Sequence, residues 1–495
     1  MKTVKRLVVV VMAVVLALSS LAGLAACSGG GIVIYVDGGG ANGNFNTTAS
    51  MEQTPENPYP YNTLEKLAEE YMETHPDVEI VINRNSLNSD RETIVSLLSQ
   101  GQAPHLLYAE TPDMMGDVAN GYYVDLTEYL DQPNPYCEEG TAGSEQWKDI
   151  YNEKELLATQ ATNGHYYRIC LEKIPIGIIY NKDIFTQAGI TEVPETFGEL
   201  LDAQKAISET TGKIPYFPIY DWYDIFLEVS IFSHKFDEYD VLVEDGFVSD
   251  EELVRAYVKG LWGISPNPQT EAEKMYKEYV QLIKQKSQYY PAAYESYDAL
   301  SEFLKGNVGM IEATGGYMMQ IYNDTTKGFD VDVFGFPTLS TEDSEYGGNG
   351  VYRGTAGLTT SYFVTNAAIN DGPETVEACV DFLRFLTAPQ NNNRLINDLG
   401  LGLPINSEAE VEPLFEPLVE MYNEDLQDPN RYDWNSFCSW NGFGKIYMDE
   451  FLNGIWAYQV GKKDLIDFLS DMQAATVTAM DSVMETNGWN ESTWN

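Results

Sequence analysis

The stretch Ile219–Asp224, IYDWYD, sets three aromatic rings beside two carboxylates. A second cluster, Tyr432–Trp440 (YDWNSFCSW), repeats that mixture late in the chain, and Tyr317 follows a pair of glycines. Such sets suit polyhydroxylated ligands, because a pyranose ring offers an apolar C–H face to an aromatic ring while its hydroxyls seek carboxylates and amides. Each of these rings could equally be core packing at a strand end or beside a helix start. Within the second cluster, Trp434 is expected to meet a ligand and Trp440 to pack.

Residue sets for covalent or metal chemistry are incomplete. The histidines His75, His105, His165 and His234 stand at no HExxH or similar spacing, so no metal is expected, and His105 reads as hydrogen-bonded structure. There is no GxSxG nucleophile signature. Gly38-x-Gly40-x-x-Gly43 formally matches a dinucleotide fingerprint, but the polar, proline-containing Asn44–Pro60 follows instead of a helix, and no cofactor is expected. Asp37, just ahead of those glycines, stays a ligand candidate because ligands gather beyond the carboxyl ends of strands. A glycoside hydrolase needs two carboxylates ~5–9.5 Å apart across a cleft. Among 76 acidic residues such pairs remain open, although no local motif marks one. Cys137, Cys170, Cys379 and Cys438 are scattered without CxxC spacing, which reads as buried free thiols, with one or two disulfides the alternative in an exported protein.

These residues need elements to position them. An apolar strand at Ile32–Val36 is followed by helical spacing at Leu64, Leu67, Ala68, Tyr71 and Met72, then a strand at Val78–Ile82. A capping box at Ser89 and Glu92 opens a second helix, and another strand starts at Ala103–Tyr108. This alternation predicts a parallel sheet covered by helices. The run Ile174–Tyr180, just after the polar pair Glu172–Lys173, predicts a buried strand entering a new sheet. Helix signals follow to Ala188 and again from Pro194–Phe197. Residues 230–270 read as a charged, irregular insertion. Thr270–Lys286 and Tyr297–Lys305 read as helices, Asn307–Ile311 and Asp330–Pro337 as strands, and Thr338–Gly350 as a linker. The strand Gly354–Val364 and a helix from Pro373 to Pro389 precede a mostly helical remainder.

With 495 residues and 44% hydrophobic content, the chain exceeds one comfortable core, so at least two domains are expected. Lys2, Lys5 and Arg6 precede Leu7–Leu18, an apolar run too short for a stable membrane span and fitting a secretory leader. Leu24-Ala25-Ala26-Cys27 resembles a bacterial lipobox, which implies cleavage before Cys27, a lipid on its sulfur, and Ser28–Gly31 as a tether. A plain signal peptide with an incidental cysteine is the alternative. The net charge of −47 argues against nucleic acid and against adhesion to anionic lipid through basic residues.

Gly164–Tyr167, Tyr180–Phe185 (YNKDIF) and Pro194–Phe197 (PETF) resemble, in order, the inter-lobe segment of bacterial extracellular solute-binding proteins, family 1, of ABC importers. Cys170 stands where that family usually has proline, and Phe197 where it has tryptophan. Gly101–Leu107 and Gly121–Thr127 resemble first-lobe elements, with His105 replacing an aspartate, and Phe303–Met318 (FLKGNVGMIEATGGYM) resembles a second-lobe motif. The resemblance covers nearly all of residues 32–480.

It implies an α/β, two-lobed periplasmic-binding-protein-like fold, each lobe a mostly parallel sheet flanked by helices, joined by hinge crossovers. The expected division is a leader at 1–26, lipidated Cys27 and tether at 27–31, a first lobe of 32–172 plus 354–402, and a second of 173–353 plus 403–495. The implied protein is a non-enzymatic, lipid-anchored, extracellular substrate-binding component of an ABC importer, monomeric, with a carbohydrate ligand and permease subunits as partners. The implied ligand contacts are Asp37, Tyr108 and Glu110 from the first lobe and Lys173 at the hinge. Trp222, Tyr223, Tyr317 and Trp434 supply rings, and Arg353 a hydrogen bond. Glu172 and Lys173 at the hinge could instead serve in an inter-lobe ion pair, and Arg353 could be a surface arginine. A lipid-anchored glycoside hydrolase and a receptor for a non-sugar solute stay open, while the lack of internal repeats counts against a repetitive adhesin.

Overall fold

In the computed structural model, described here for residues 31–38, 63–83, 91–110, 114–161, 163–242, 246–291, 297–358, 360–399, 402–407 and 409–494, the apolar runs pair into two separate sheets. The strands are β1 (Ile32–Asp37), β2 (Val78–Asn83), β3 (Leu106–Glu110), β4 (Arg168–Ile169), β5 (Glu172–Lys173), β6 (Ile176–Asn181), β7 (Ile214–Pro218), β8 (Val308–Thr314), β9 (Val331–Phe334), β10 (Gly350–Val351), β11 (Thr360–Val364), β12 (Leu403–Pro404) and β13 (Arg431–Tyr432). The first sheet has the order β2-β1-β3-β11-β4 and the second β7-β8-β6-β9. The leader, Cys27, residues 28–30 of the tether, the glycine-rich loop beyond Gly38 and Ser89 lie outside the described residues.

Neither sheet is mostly parallel, which corrects the expectation from sequence. β1 runs parallel to β2 and β3, and β7 to β8, but β11 is antiparallel to β3 and β4, and β6 is antiparallel to β8 and β9. The reason is where the chain changes sheets. A strand entering from a crossover starts at the crossover edge, opposite in direction to strands that end there. Thr360 at the start of β11 faces Glu110 at the end of β3, and Ile176 at the start of β6 faces Thr314 at the end of β8. The carboxyl ends of β3, β7 and β8 therefore all point at the crossovers.

Three passes of the chain are hydrogen-bonded into one strap between the sheets. β5 pairs antiparallel with β12, the Ala356 amide donates to the Ile174 carbonyl at 2.8 Å, and Pro175 bridges to Thr355. The Ile405 amide donates to Leu171 at 3.1 Å. A strap of paired extended segments bends more readily than it shears, because sliding would break its ladder.

Each sheet has its own core. Ile34, Val36, Leu106 and Tyr108 meet Leu64, Leu67 and Tyr71 of the helix Thr63–Thr74 and Phe382, Leu383 and Leu386 of the helix Pro373–Thr387. Ile176, Ile178, Tyr216 and Met310 meet Leu200 and Ile207 of the helix Phe197–Thr211 and Met275, Tyr279 and Ile283 of the helix Glu271–Lys286.

Residues 230–270 are not an irregular insertion. The helix Asp250–Val258 starts with a capping box between Ser249 and Glu252 and buries Leu253, Val254 and Ala256, and Trp262 is fully enclosed. The acidic run Asp250-Glu251-Glu252 that gave a charged appearance lies in the first helical turn, where carboxylates complement the positive end of the helix dipole. Cys137, Cys170, Cys379 and Cys438 form no disulfide with one another. No described helix is long and apolar enough to cross a membrane.

Candidate functional site

The second sheet presents rings to the strap. After β7 the chain exposes Tyr220, which is 47% accessible, and turns at Asp221 into the helix Trp222–Phe232, so IYDWYD is a strand-to-helix turn rather than a strand end. β8 likewise ends at Thr314, and Gly315–Asn323 opens as a helix carrying half-buried Tyr317 in its first turn. The two turns bring Tyr220 and Tyr317 edge to face at 5.8 Å with their hydroxyls 3.3 Å apart. Trp222 meets Trp434 at 5.5 Å.

Trp434 sits in a 3-10 turn, Trp434–Ser436, whose start is capped by Asp433 accepting from the Asn435 amide at 2.8 Å. Its indole lies against Gly357 of the strap, where φ is +73° and an added Cβ would stand 3.3 Å from Nε1. Only glycine tolerates that backbone while letting the ring approach so closely. Tyr220, Trp222, Tyr317 and Trp434 thus form an aromatic wall beside the crossovers, the position where ligands collect in α/β sheets.

Beneath this wall lies a buried ionic cluster that sequence reasoning missed. Lys286, with 0% side-chain exposure, ends the helix Glu271–Lys286 and places its Nζ 2.5 Å from Asp224, 3.6 Å from Glu312 and 3.8 Å from Asp221. Glu312 also accepts from the Tyr216 hydroxyl at 2.5 Å and the Tyr223 amide at 2.8 Å. Burial pushes the Asp224 carboxyl up to about 8 and Glu312 up to about 7, with Lys286 drawing both partly back. Burial disfavours the Lys286 ammonium too, but the Asp224, Glu312 and Asp221 carboxylates outweigh it and hold its pKa above the usual lysine value. The cluster fastens β7, β8 and two helices together directly behind Tyr220 and Trp222. Its partners lie far apart in the chain, and the only local hint was the pair of aspartates in IYDWYD.

The residues expected from sequence divide accordingly. Trp222, Tyr317 and Trp434 share the wall. Tyr223 does not: it is 2% exposed, stacks on Phe336 at 4.6 Å and donates its hydroxyl to the Pro337 carbonyl, because it occupies the core-facing side of its helix. Tyr108 is fully enclosed in β3 and donates to Glu172 at 2.8 Å. Asp37 ends β1 with its side chain buried and its carbonyl accepting from Tyr362 at 2.7 Å. Glu110 ends β3 opposite Thr360.

Lys173 pairs with Glu155 at 2.9 Å, the ion-pair alternative, and lies 5.1 Å over the ring of Tyr422, whose hydroxyl donates to the same Glu155 at 2.7 Å. Arg353 is held by Asp425, through its backbone amide at 2.7 Å and its guanidinium at 2.9 and 3.0 Å. His105 is structural: Nδ1 accepts from the Tyr35 amide at 3.3 Å, Nε2 lies 3.1 Å from Asp371, and burial lowers its pKa. Trp440 packs on Phe451 at 5.3 Å. Among the described residues no group of histidine, cysteine and carboxylate side chains could hold a metal.

Solved structures share this architecture. A family 1 extracellular solute-binding protein from Bifidobacterium longum subsp. infantis superposes with a TM-score of 0.60 at 15% identity, over 91% of this chain and 100% of that one. The apo form of RafE from Streptococcus pneumoniae gives 0.61 at 15% identity, over 92% and 99%. A cyclic alpha-maltosyl-1,6-maltose binding protein from Arthrobacter globiformis gives 0.56 at 16%, over 92% and 100%. The family model for bacterial extracellular solute-binding proteins matches residues 66–423, most of the chain from the first helix through the second sheet and back, and the chain belongs to that family.

Proposed function

We propose that this chain is the substrate-binding component of an ABC importer, lipid-anchored through Cys27 on the outer face of the cell membrane, and that it takes an oligosaccharide between its two lobes. The observation that carries this reading is the wall of Tyr220, Trp222, Tyr317 and Trp434 at the strand ends beside the strap. Four rings in two pairs suit successive pyranose units, each offering a C–H face. Relatives of the same fold support it: RafE is known in complex with raffinose, and the Arthrobacter protein is named for a branched maltosyl sugar. Asp37 and Glu110 at the first-sheet strand ends are the proposed partners for hydroxyls, and the lobes are residues 32–172 plus 354–402 and 173–353 plus 403–495. Closure about the strap needs hinge strands and no nucleophile.

A thermal-shift screen over mono- and oligosaccharides tests the ligand class, since a ligand at ~100 times its dissociation constant adds ~2.7 kcal/mol. Stabilisation by oligosaccharides is expected; stabilisation by peptides or polyamines alone defeats the sugar reading. Product analysis after incubation with the same sugars separates receptor from hydrolase. Labelling with a radioactive fatty acid, lost in Cys27→Ser, tests the anchor.

A further inference from the structure

Asp425 is the last residue of the helix Glu416–Asp425 and is 2% exposed. A carboxylate there opposes the negative end of the helix dipole, so it needs cations. Arg353 supplies its backbone amide and guanidinium, and Arg431 brings Nε to 3.5 Å. Glu424 and Asp428 stand farther out, 3.7 Å from Arg353 and 3.6 Å from Arg431. Arg353 comes two residues after β10 and leads into the strap at Gly354. Arg431 opens β13. These strands pair as Gly350 with Arg431 and Val351 with Tyr432, the Tyr352 amide extends the pairing to the Tyr432 carbonyl at 2.9 Å, and the Arg431 guanidinium lies against Gly350. Two residues after β13 comes Trp434, packed between Trp222 and Gly357.

From this geometry we infer that Asp425 is a positioning residue for the aromatic wall: by tying Arg353 to Arg431 it fixes β13 to the strap and so sets where Trp434 stands. Without the carboxylate, two enclosed guanidiniums face each other with no shared counter-charge, and β13 with its tryptophan moves away from β10. The inference rests on the proposed function only for its effect on ligand.

The test isolates Trp434 emission as the difference between each protein and its Trp434→Phe counterpart. Asp425→Asn keeps the side-chain shape and is expected to move that difference spectrum to the red in protein that still unfolds cooperatively. Raffinose affinity is expected to fall about tenfold in Asp425→Asn, with no further fall when the same change is made in Trp434→Phe. Should Asp425→Asn not fold, Arg431→Gln leaves the Arg353–Asp425 pair intact and is read in the same way. An unmoved difference spectrum in a folded variant, or an equal affinity loss with and without Trp434, overturns the inference. Trp434→Phe binding raffinose as tightly as the parent removes Trp434 from the ligand site instead, and leaves the spectral result to decide the role of Asp425.

Discussion

Along the first sheet, the ends of β1, β2 and β3 carry Asp37, Asn83 and Glu110, and Tyr108 within β3 is enclosed with its hydroxyl on Glu172. Along the second sheet, the corresponding edge carries Tyr220, Trp222 and Tyr317 over a buried ammonium with three carboxylates around it. Residues on strand termini are already held still by the ladder. Rings are different, because stacking depends on their plane and most ring area must stay open to the ligand. Their support has to come from beneath. Lys286 fastens β7, β8 and the helix Trp222–Phe232 at one point, and Asp425 does the same for the segment bearing Trp434.

The sharpest way to break this contrast is Lys286→Met. Removing one partner of a buried ion pair strands the others, and the expected loss is ~3–5 kcal/mol in urea unfolding. A loss under ~1 kcal/mol would mean the cluster supports nothing. Next in size is Trp434→Ala, for which a 10- to 100-fold weaker oligosaccharide affinity is expected, roughly the effect of truncating a central aromatic contact. Titration calorimetry reads it, with the unfolding slope expected to stay unchanged.

Third is pH. Asp224 and Glu312 have folded pKa values raised above their unfolded values, chiefly by burial, so their contribution is fully present below about pH 4 and is lost as pH rises through about 7 to 8. Stability limited to these groups should therefore decline from pH 5 to 8, by up to about 1.4 kcal/mol per pH unit for each proton the folded state retains. Lys286 works in the alkaline range, its contribution holding until pH passes the usual lysine value. A shallower slope in the Asp224→Asn, Glu312→Gln double variant than in the parent sharpens the assignment, the remaining slope belonging to Glu228 and Asp433, whose carboxyls burial also raises; equal slopes contradict it. The smallest effect is expected in the first sheet. Tyr108→Phe removes one hydrogen bond to Glu172 and should cost ~1 kcal/mol with little change in affinity.

Much of this arrangement is legible in the sequence because it is local. Helical spacing at Leu64 to Met72 and the buried run at Ile174–Tyr180 became a helix and a strand at nearly those positions, and the ordered motifs around Tyr180–Phe185 placed the first crossover. The helix start before Tyr317 follows from Gly306, β8 and the paired glycines. What escaped was long-range pairing. Nothing within reach of Arg353 announces Asp425, 72 positions on, and nothing near Asp224 announces Lys286. A cation read alone therefore looks available for a ligand, when a distant carboxylate holds it. Tyr108 and Tyr223 escaped for another reason: a strand or helix shows neighbouring residues to opposite sides, and sequence does not say which side the rest of the fold covers.

The central claim is that the wall of Tyr220, Trp222, Tyr317 and Trp434 holds a sugar without transforming it. Titration calorimetry of the parent and of Trp222→Ala with raffinose and longer oligosaccharides tests it most directly, with the sugar recovered afterwards. The account predicts saturable one-to-one binding by the parent to at least one of these sugars, at least tenfold weaker in Trp222→Ala, and intact sugar at the end. Equal binding by both proteins, no heat with any oligosaccharide, or recovery of cleaved sugar would contradict it.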